Sequence, residues 1–208
     1  MVLRQLRGRD ITDTRVLAAM GAIPREQFVS NDYSGQAYDD APVPIGRGQT
    51  ISQPYIVALM LQAAEIAPAD CLLEVGAGSG YLAAVAAGIA RRVVAIERHP
   101  SLAEAARKRL GALGMANVRI LAGDGTRGCI EEAPFDAIIV SAGGPRVPEA
   151  LKRQLRVGGR LVIPVGESGG QHLLHVRRIR EDRFVQSDLG EVVFVPLIGE
   201  QGWADATE

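Results

Sequence analysis

Cysteine is scarce in this 208-residue chain, with only Cys71 and Cys129. Neither has a CxxC partner or metal-ligand neighbours, so the sequence gives no disulfide framework and no metal site. A reducing, cytoplasmic setting is the matching expectation. Charge of one sign is missing too. The 23 basic and 24 acidic residues leave a formal net charge of -1, so there is no whole-domain cationic field for nucleic acid or membranes. No apolar run reaches membrane length. The most apolar segment, Pro54 to Ala67, is too short to span a bilayer and contains Gln62 and Glu65. The opening residues, Met1 to Arg7, turn polar too soon for a signal peptide. No Ser/His/Asp order suggests a hydrolase. His172 and His175 lie three apart in a predicted strand and so point to opposite faces, which makes them poor joint ligands.

What is present is a globular mixture, 47% hydrophobic and 23% charged, long enough to bury a real core. A single domain over 1–208 is expected, with 1–53 as an N-terminal flank and substrate-side lid and 54–208 as the core. The flank should hold a helix from Thr12 to Met20, capped by Asp10 or Thr12 and stopped by Gly21. Turn-rich sequence follows, from Asn31 to Gly48. A helix should begin at Pro54, because proline's missing N–H has no partner in a first turn anyway. Pro68-Ala69-Asp70 should end it. Strands and helices then alternate: strand Cys71 to Val75, helix Tyr81 to Ala90, strand Val93 to Ile96, helix Leu102 to Leu113, strands Val118 to Leu121 and Phe135 to Val140, helix Pro148 to Leu155, strand Gly159 to Pro164. This pattern predicts an α/β fold with a doubly wound, mostly parallel sheet. Leu173 to Arg180 and Phe184 to Val195 read as strands joined by a loop so short that they must pair antiparallel, a C-terminal hairpin. Arg177, Arg178 and Arg180 are expected on its solvated edge.

Three loops after successive strands carry the chemistry. The sharpest is Leu73-Glu74-Val75-Gly76-Ala77-Gly78-Ser79-Gly80-Tyr81 at a strand-to-helix turn. Its glycines let the backbone pass close to a ligand, at the strand ends where open α/β sheets bind ligands. A dinucleotide fingerprint needs glycine at position 81, where Tyr81 stands, so S-adenosyl-L-methionine (AdoMet) is favoured over NAD. Glu97, followed by Arg98, ends the next strand, where an acid can accept two hydrogen bonds from a ribose diol. Gly123-Asp124-Gly125 follows the third strand, and an Asp flanked by glycines can take an adenine amino group; an ordinary turn is the alternative. On the other side, Thr50-Ile51-Ser52-Gln53 precedes the Pro54 helix. The Ser52 hydroxyl suits a helix cap, or it can join free N–H groups in holding a carboxylate.

These residues resemble the protein-L-isoaspartate O-methyltransferases. Ala37-Tyr38-Asp39-Asp40 and Gly46-Arg47-Gly48-Gln49-Thr50-Ile51-Ser52-Gln53-Pro54 are similar to that family's substrate-side signature. Pro134 to Val140, Gly158 to Gly166 and Phe194 to Gly199 look like its later motifs. The likeness runs from about Asp13 to Trp203. A parallel sheet finished by an antiparallel hairpin is also the layout of the AdoMet-methyltransferase fold.

The resemblance implies methyl transfer from AdoMet to the α-carboxylate of L-isoaspartyl residues in damaged proteins and peptides, leaving S-adenosyl-L-homocysteine. The ester recloses to a succinimide, which reopens partly to normal aspartate. It places Ser52 at the reacting carboxylate, Gly76, Gly78, Ser79 and Gly80 at the cofactor's methionine part, Glu97 at the ribose and Asp124 with Gly125 at the adenine, with Glu74, Tyr81, Arg98 and Gly123 also in the cofactor site. Thr50, Ile51, Gln53, Val195 and Pro196 would bind the peptide. Neither metal, nucleic acid nor membrane is implied, and a monomer is expected. Some relatives carry His at the position of Val57 and a polar residue at that of Ile198, so those roles do not transfer. The competing readings are a methyltransferase acting on a small carboxylate and a binding module that keeps the fold without catalysis.

Overall fold

The computed structural model describes residues 1–167 and 169–205. After a turn of π-helix at Val2–Leu6, α1 spans Thr14–Ala22. Its cap is Asp13, whose Oδ1 accepts the Arg15 N–H at 2.8 Å, and not Asp10 or Thr12. Such a cap is worth about 1 kcal/mol. Gly21 does not stop the helix; it runs one residue further, and Ile23 turns extended ahead of Pro24.

The turn-rich stretch holds an antiparallel hairpin that was not expected, β1 (Val43–Gly46) with β2 (Gln49–Ile51). Arg47 and Gly48 form its two-residue turn at φ 55° and 70°, the backbone geometry that suits a tight hairpin. α2 (Pro54–Ala63) starts at Pro54 as predicted. It ends well before Pro68 because the chain turns left-handed at Glu65, φ 47°.

Then come β3 (Cys71–Val75), α3 (Tyr81–Ala87), β4 (Arg92–Glu97), α4 (Pro100–Ala112), β5 (Val118–Ala122), β6 (Phe135–Val140), α5 (Glu149–Gln154), β7 (Leu155–Glu167), β8 (Gly170–Arg180) and β9 (Arg183–Val192). α3 stops short of the predicted Ala90. Gly88 is a weak helix former, and the Asn117 amide donates to the carbonyls of Ala87 at 2.9 Å and Ala90 at 3.3 Å. β7 is longer than predicted at both ends, its later part laddered to β8 from Arg160 to Glu167.

The sheet order is β5-β4-β3-β6-β7-β8-β9. Strands β5 to β7 pair in parallel, and β8 and β9 close the sheet antiparallel. Every residue of β3 and β6 is buried, as strands covered on both faces require. Period-two alternation divides them: Leu72, Ala137 and Ile139 join the core under α1 to α3, and Leu73, Val75, Ile138 and Val140 the core on the opposite face. Leu6, Ile11, Met20 and Phe28 of the flank belong to the first of these cores.

Of the arginines expected at a solvated edge, Arg180 is exposed, while Arg177 and Arg178 are half-buried on a strand that is not the edge. β8 lies inside the hairpin and β9 is the edge strand. Arg177 pairs with Glu65. Arg178 donates to the Glu181 carbonyl at 2.7 Å and sits over the Phe184 ring. The last strand stops at Val192 and not Val195, and the Phe194 N–H goes to the Gln171 side-chain oxygen at 2.8 Å instead of a ladder partner.

Candidate active site

β3 connects to β4 on one side and its neighbour β6 connects to β7 on the other, so the connections from these two adjacent carboxyl ends run in opposite directions. Ligands of open α/β sheets bind at such a reversal. A cavity opens there, lined by the ends of β3, β4 and β6, by β2 with Ser52 after it, and by the segment after β9. It holds about 760 Å³ of free space, part of it open to solvent.

The glycine loop shapes one wall. Gly76 N–H and Ala77 N–H both donate to the Ile96 carbonyl, at 2.8 and 3.1 Å, which ties the loop to β4. Gly80 has φ 86°, and a Cβ there would meet Ala106 and Leu110 at 3.3 Å. Glycine therefore lets α3 begin hard against α4. Glu97 is 4% exposed. Its Oε2 accepts the Gly78 N–H at 2.8 Å and its Oε1 the His99 N–H at 2.9 Å. Each oxygen keeps a lone pair for a further donor.

Glu74 lines the same wall and is 1% exposed, with Oε2 buried and unpartnered. Burial, then the nearby Glu97 charge, pushes its carboxyl well above the usual range; Ala83 N–H and the Ser141 hydroxyl oppose the rise. Tyr81 is pushed up to about 12 by burial, against the Arg25 charge beside it.

Ser52 stands on the opposite wall, between β2 and α2. The N-cap of α2 is Gln53, with no side-chain cap hydrogen bond, so the Ser52 hydroxyl does not cap this helix. Its carbonyl accepts a 2.7 Å bond from the Nη2 of Arg25. Ser52, Thr50, Ser141 and Val195 line both the cavity and a second, more open groove. Gln53 faces that groove alone.

Most of the residues singled out in the sequence meet at the cavity. Thr50, Ile51, Gly76, Gly78, Ser79, Arg98, Gly125, Val195 and Pro196 all line it. Gly80, Gly123 and Asp124 stand back from it. The Asp124 carboxylate is engaged elsewhere, accepting from the N–H and hydroxyl of Thr126 at 2.8 and 2.7 Å and from the Glu200 N–H at 2.9 Å. It fastens the turn after β5 to the C-terminal segment. Ser141 and Ala142 were missed in the sequence, although they directly follow β6 and so stand in a fourth loop at the same edge. Val57 and Ile198 also line the cavity.

A glycine turn after the first core strand, an acid ending the second, and an antiparallel hairpin closing a seven-stranded sheet define the AdoMet-dependent methyltransferase class. AdoMet fits this cavity: Glu97 has acceptor capacity to spare, and Glu74 presents a buried oxygen without a partner. Within that class the chain belongs to the protein-L-isoaspartate(D-aspartate) O-methyltransferase family, whose model matches residues 1–202. A protein-L-isoaspartate O-methyltransferase of Methylorubrum populi is 58% identical over 98% of this chain and 96% of its own length. A second, from Marinobacter nauticus, is 55% identical over 98% of this chain and 93% of its own. Among solved structures, a protein-L-isoaspartate O-methyltransferase matches with TM-score 0.88 and 29% identity, over 97% of this chain and 67% of that one. A β-aspartate methyltransferase structure from Plasmodium falciparum, in complex with S-adenosyl-L-homocysteine, matches with TM-score 0.82 and 28% identity, over 95% and 96%. Among the described residues no cluster suits a metal ion and no helix is long and apolar enough to cross a membrane.

Proposed function

We propose that Ser52 holds the α-carboxylate of an L-isoaspartyl residue at the junction between the cavity and the open groove, where it is methylated. The activity is that of the family, protein-L-isoaspartate O-methyltransfer, which starts repair through a succinimide. The observation that carries the residue assignment is that Ser52 lines both spaces. A side chain in the groove would then deliver its carboxylate to the cavity past this hydroxyl.

AdoMet supplies an electrophilic methyl group on a sulfonium sulfur. A carboxylate is ionised at neutral pH, so no general base is required, which agrees with a hydroxyl at the reacting end. The protein's contribution is alignment. Ser52 orients the carboxylate. Gly76, Gly78 and Ser79 bring backbone close to the methionine part, Glu97 accepts from the ribose, and Gly125 approaches the adenine. Thr50, Ile51, Gln53, Val195 and Pro196 hold the peptide, and residues 1–53 form the lid of a single domain.

Two free, buried cysteines support a cytoplasmic setting.

The test is methyl transfer from labelled AdoMet to two short peptides identical except for isoaspartate or aspartate. A base-labile ester on the isoaspartyl peptide alone is expected. No transfer to either, with AdoMet bound, overturns the substrate.

A further inference from the structure

Arg25 is the largest fully buried side chain, at 0% exposure. Its Nε donates to the Ala37 carbonyl at 2.6 Å and its Nη2 to that of Ser52 at 2.7 Å, while Nη1 is buried without a partner. The guanidinium lies 4.7 Å from the Tyr81 ring centroid. Tyr81 meets Phe28 edge-on, at 5.3 Å. A second guanidinium, Arg109, lies 5.6 Å from the Phe28 ring centroid, and its Nη1 donates to the Ser79 carbonyl at 2.8 Å. A continuous column, Arg25–Tyr81–Phe28–Arg109, thus has one cation on the substrate loop and the other on the cofactor loop.

A buried cation with an unpaired nitrogen is costly, and an apolar side chain of similar volume often packs such a place at no loss of stability. Fold stability alone therefore does not explain Arg25. Its two bonds go to carbonyls, one of them in the residue at the reacting carboxylate. Cation–π contact on either side of an aromatic pair gives the column a fixed length.

We propose that this column sets the separation of the Ser52 loop from the Ser79 loop, and that Arg25 and Arg109 are positioning residues for methyl transfer. The inference rests on the proposed role of Ser52. Small displacements of aligned reactants cost large factors in rate, so the column acts on turnover more than on cofactor affinity.

The test compares Arg25→Lys and Arg109→Lys, each alone and with Ser52→Ala, at temperatures below each variant's Tm. Readouts are kcat and KM for the isoaspartyl peptide and the Kd of S-adenosyl-L-homocysteine. Each lysine variant is expected to lower kcat about tenfold or more, with Kd changed less than about threefold. With Ser52→Ala, the Arg25→Lys loss should shrink below about twofold, because the two act as one unit. Equal losses in both backgrounds, or kcat held within about threefold in either lysine variant, overturn the inference. Arg109 is only half-buried, so Arg109→Lys carries the test if Arg25→Lys does not fold. A parent enzyme inactive on the isoaspartyl peptide overturns the substrate reading instead.

Discussion

Glu97 accepts the Gly78 N–H at 2.8 Å, so the acid that ends β4 also holds the glycine loop that ends β3. One carboxylate shapes the loop and keeps lone pairs free, and in the proposed function these accept from the ribose. Hydrogen bonds to charged groups are worth about 1.5–3 kcal/mol. Glu97→Ala should therefore weaken S-adenosyl-L-homocysteine by about 2–3 kcal/mol, read by calorimetry. Glu97→Gln keeps one acceptor and should lose less. Equal affinity in Glu97→Ala and the parent would remove Glu97 from the site.

Ser52→Ala separates orientation from cofactor binding. Its hydroxyl takes no part in capping α2, so removing it leaves the helix start intact. Turnover on the isoaspartyl peptide should fall about tenfold to a hundredfold, with cofactor affinity changed less than about threefold. Parallel loss of both in steady-state kinetics and calorimetry would sink the orienting role.

The contrast between Glu97 and Asp124 shows what the sequence made legible. Glycine spacing and an acid ending a strand are local patterns, and a parallel sheet brings successive loops to one edge. The strand alternation and the Pro54 helix start were readable for the same reason. Asp124 looked equally suitable, and what the sequence could not show is its bond from the Glu200 N–H, 76 residues away, which gives the side chain a structural task as well. The β1–β2 hairpin was hidden because Arg47, a residue that rarely adopts φ 55°, occupies its turn. Arg25 was invisible as well: an arginine after a proline reads as surface, and only tertiary packing buries it.

Asp124→Ala tests that structural task. It unties the Thr126 turn from the Glu200 segment. A loss of about 1–3 kcal/mol in urea unfolding, at unchanged m-value, is expected. A variant as stable as the parent but deficient in cofactor binding would return Asp124 to the adenine.

Glu74 gives the pH dependence its sign. Its carboxyl is raised in the folded, ligand-free protein, chiefly by burial and next by Glu97. Below the unfolded value of about 4.3 both states are protonated, and Glu74 adds no slope. Between the unfolded and the raised folded value the native state binds the extra proton, so stability falls as pH rises. Above the folded value both states are ionised and the penalty is complete. Tm of the ligand-free parent should therefore fall through this window more steeply than that of Glu74→Gln, which cannot ionise. The curves should lie closest at about pH 4 and diverge toward neutrality, with the variant the more stable. Parallel curves from about pH 4 to pH 9 would mean that Glu74 ionises at its ordinary value. A ligand that partners the buried Oε2 should reduce the difference, because a hydrogen bond to the ionised form offsets the desolvation that raises its pKa.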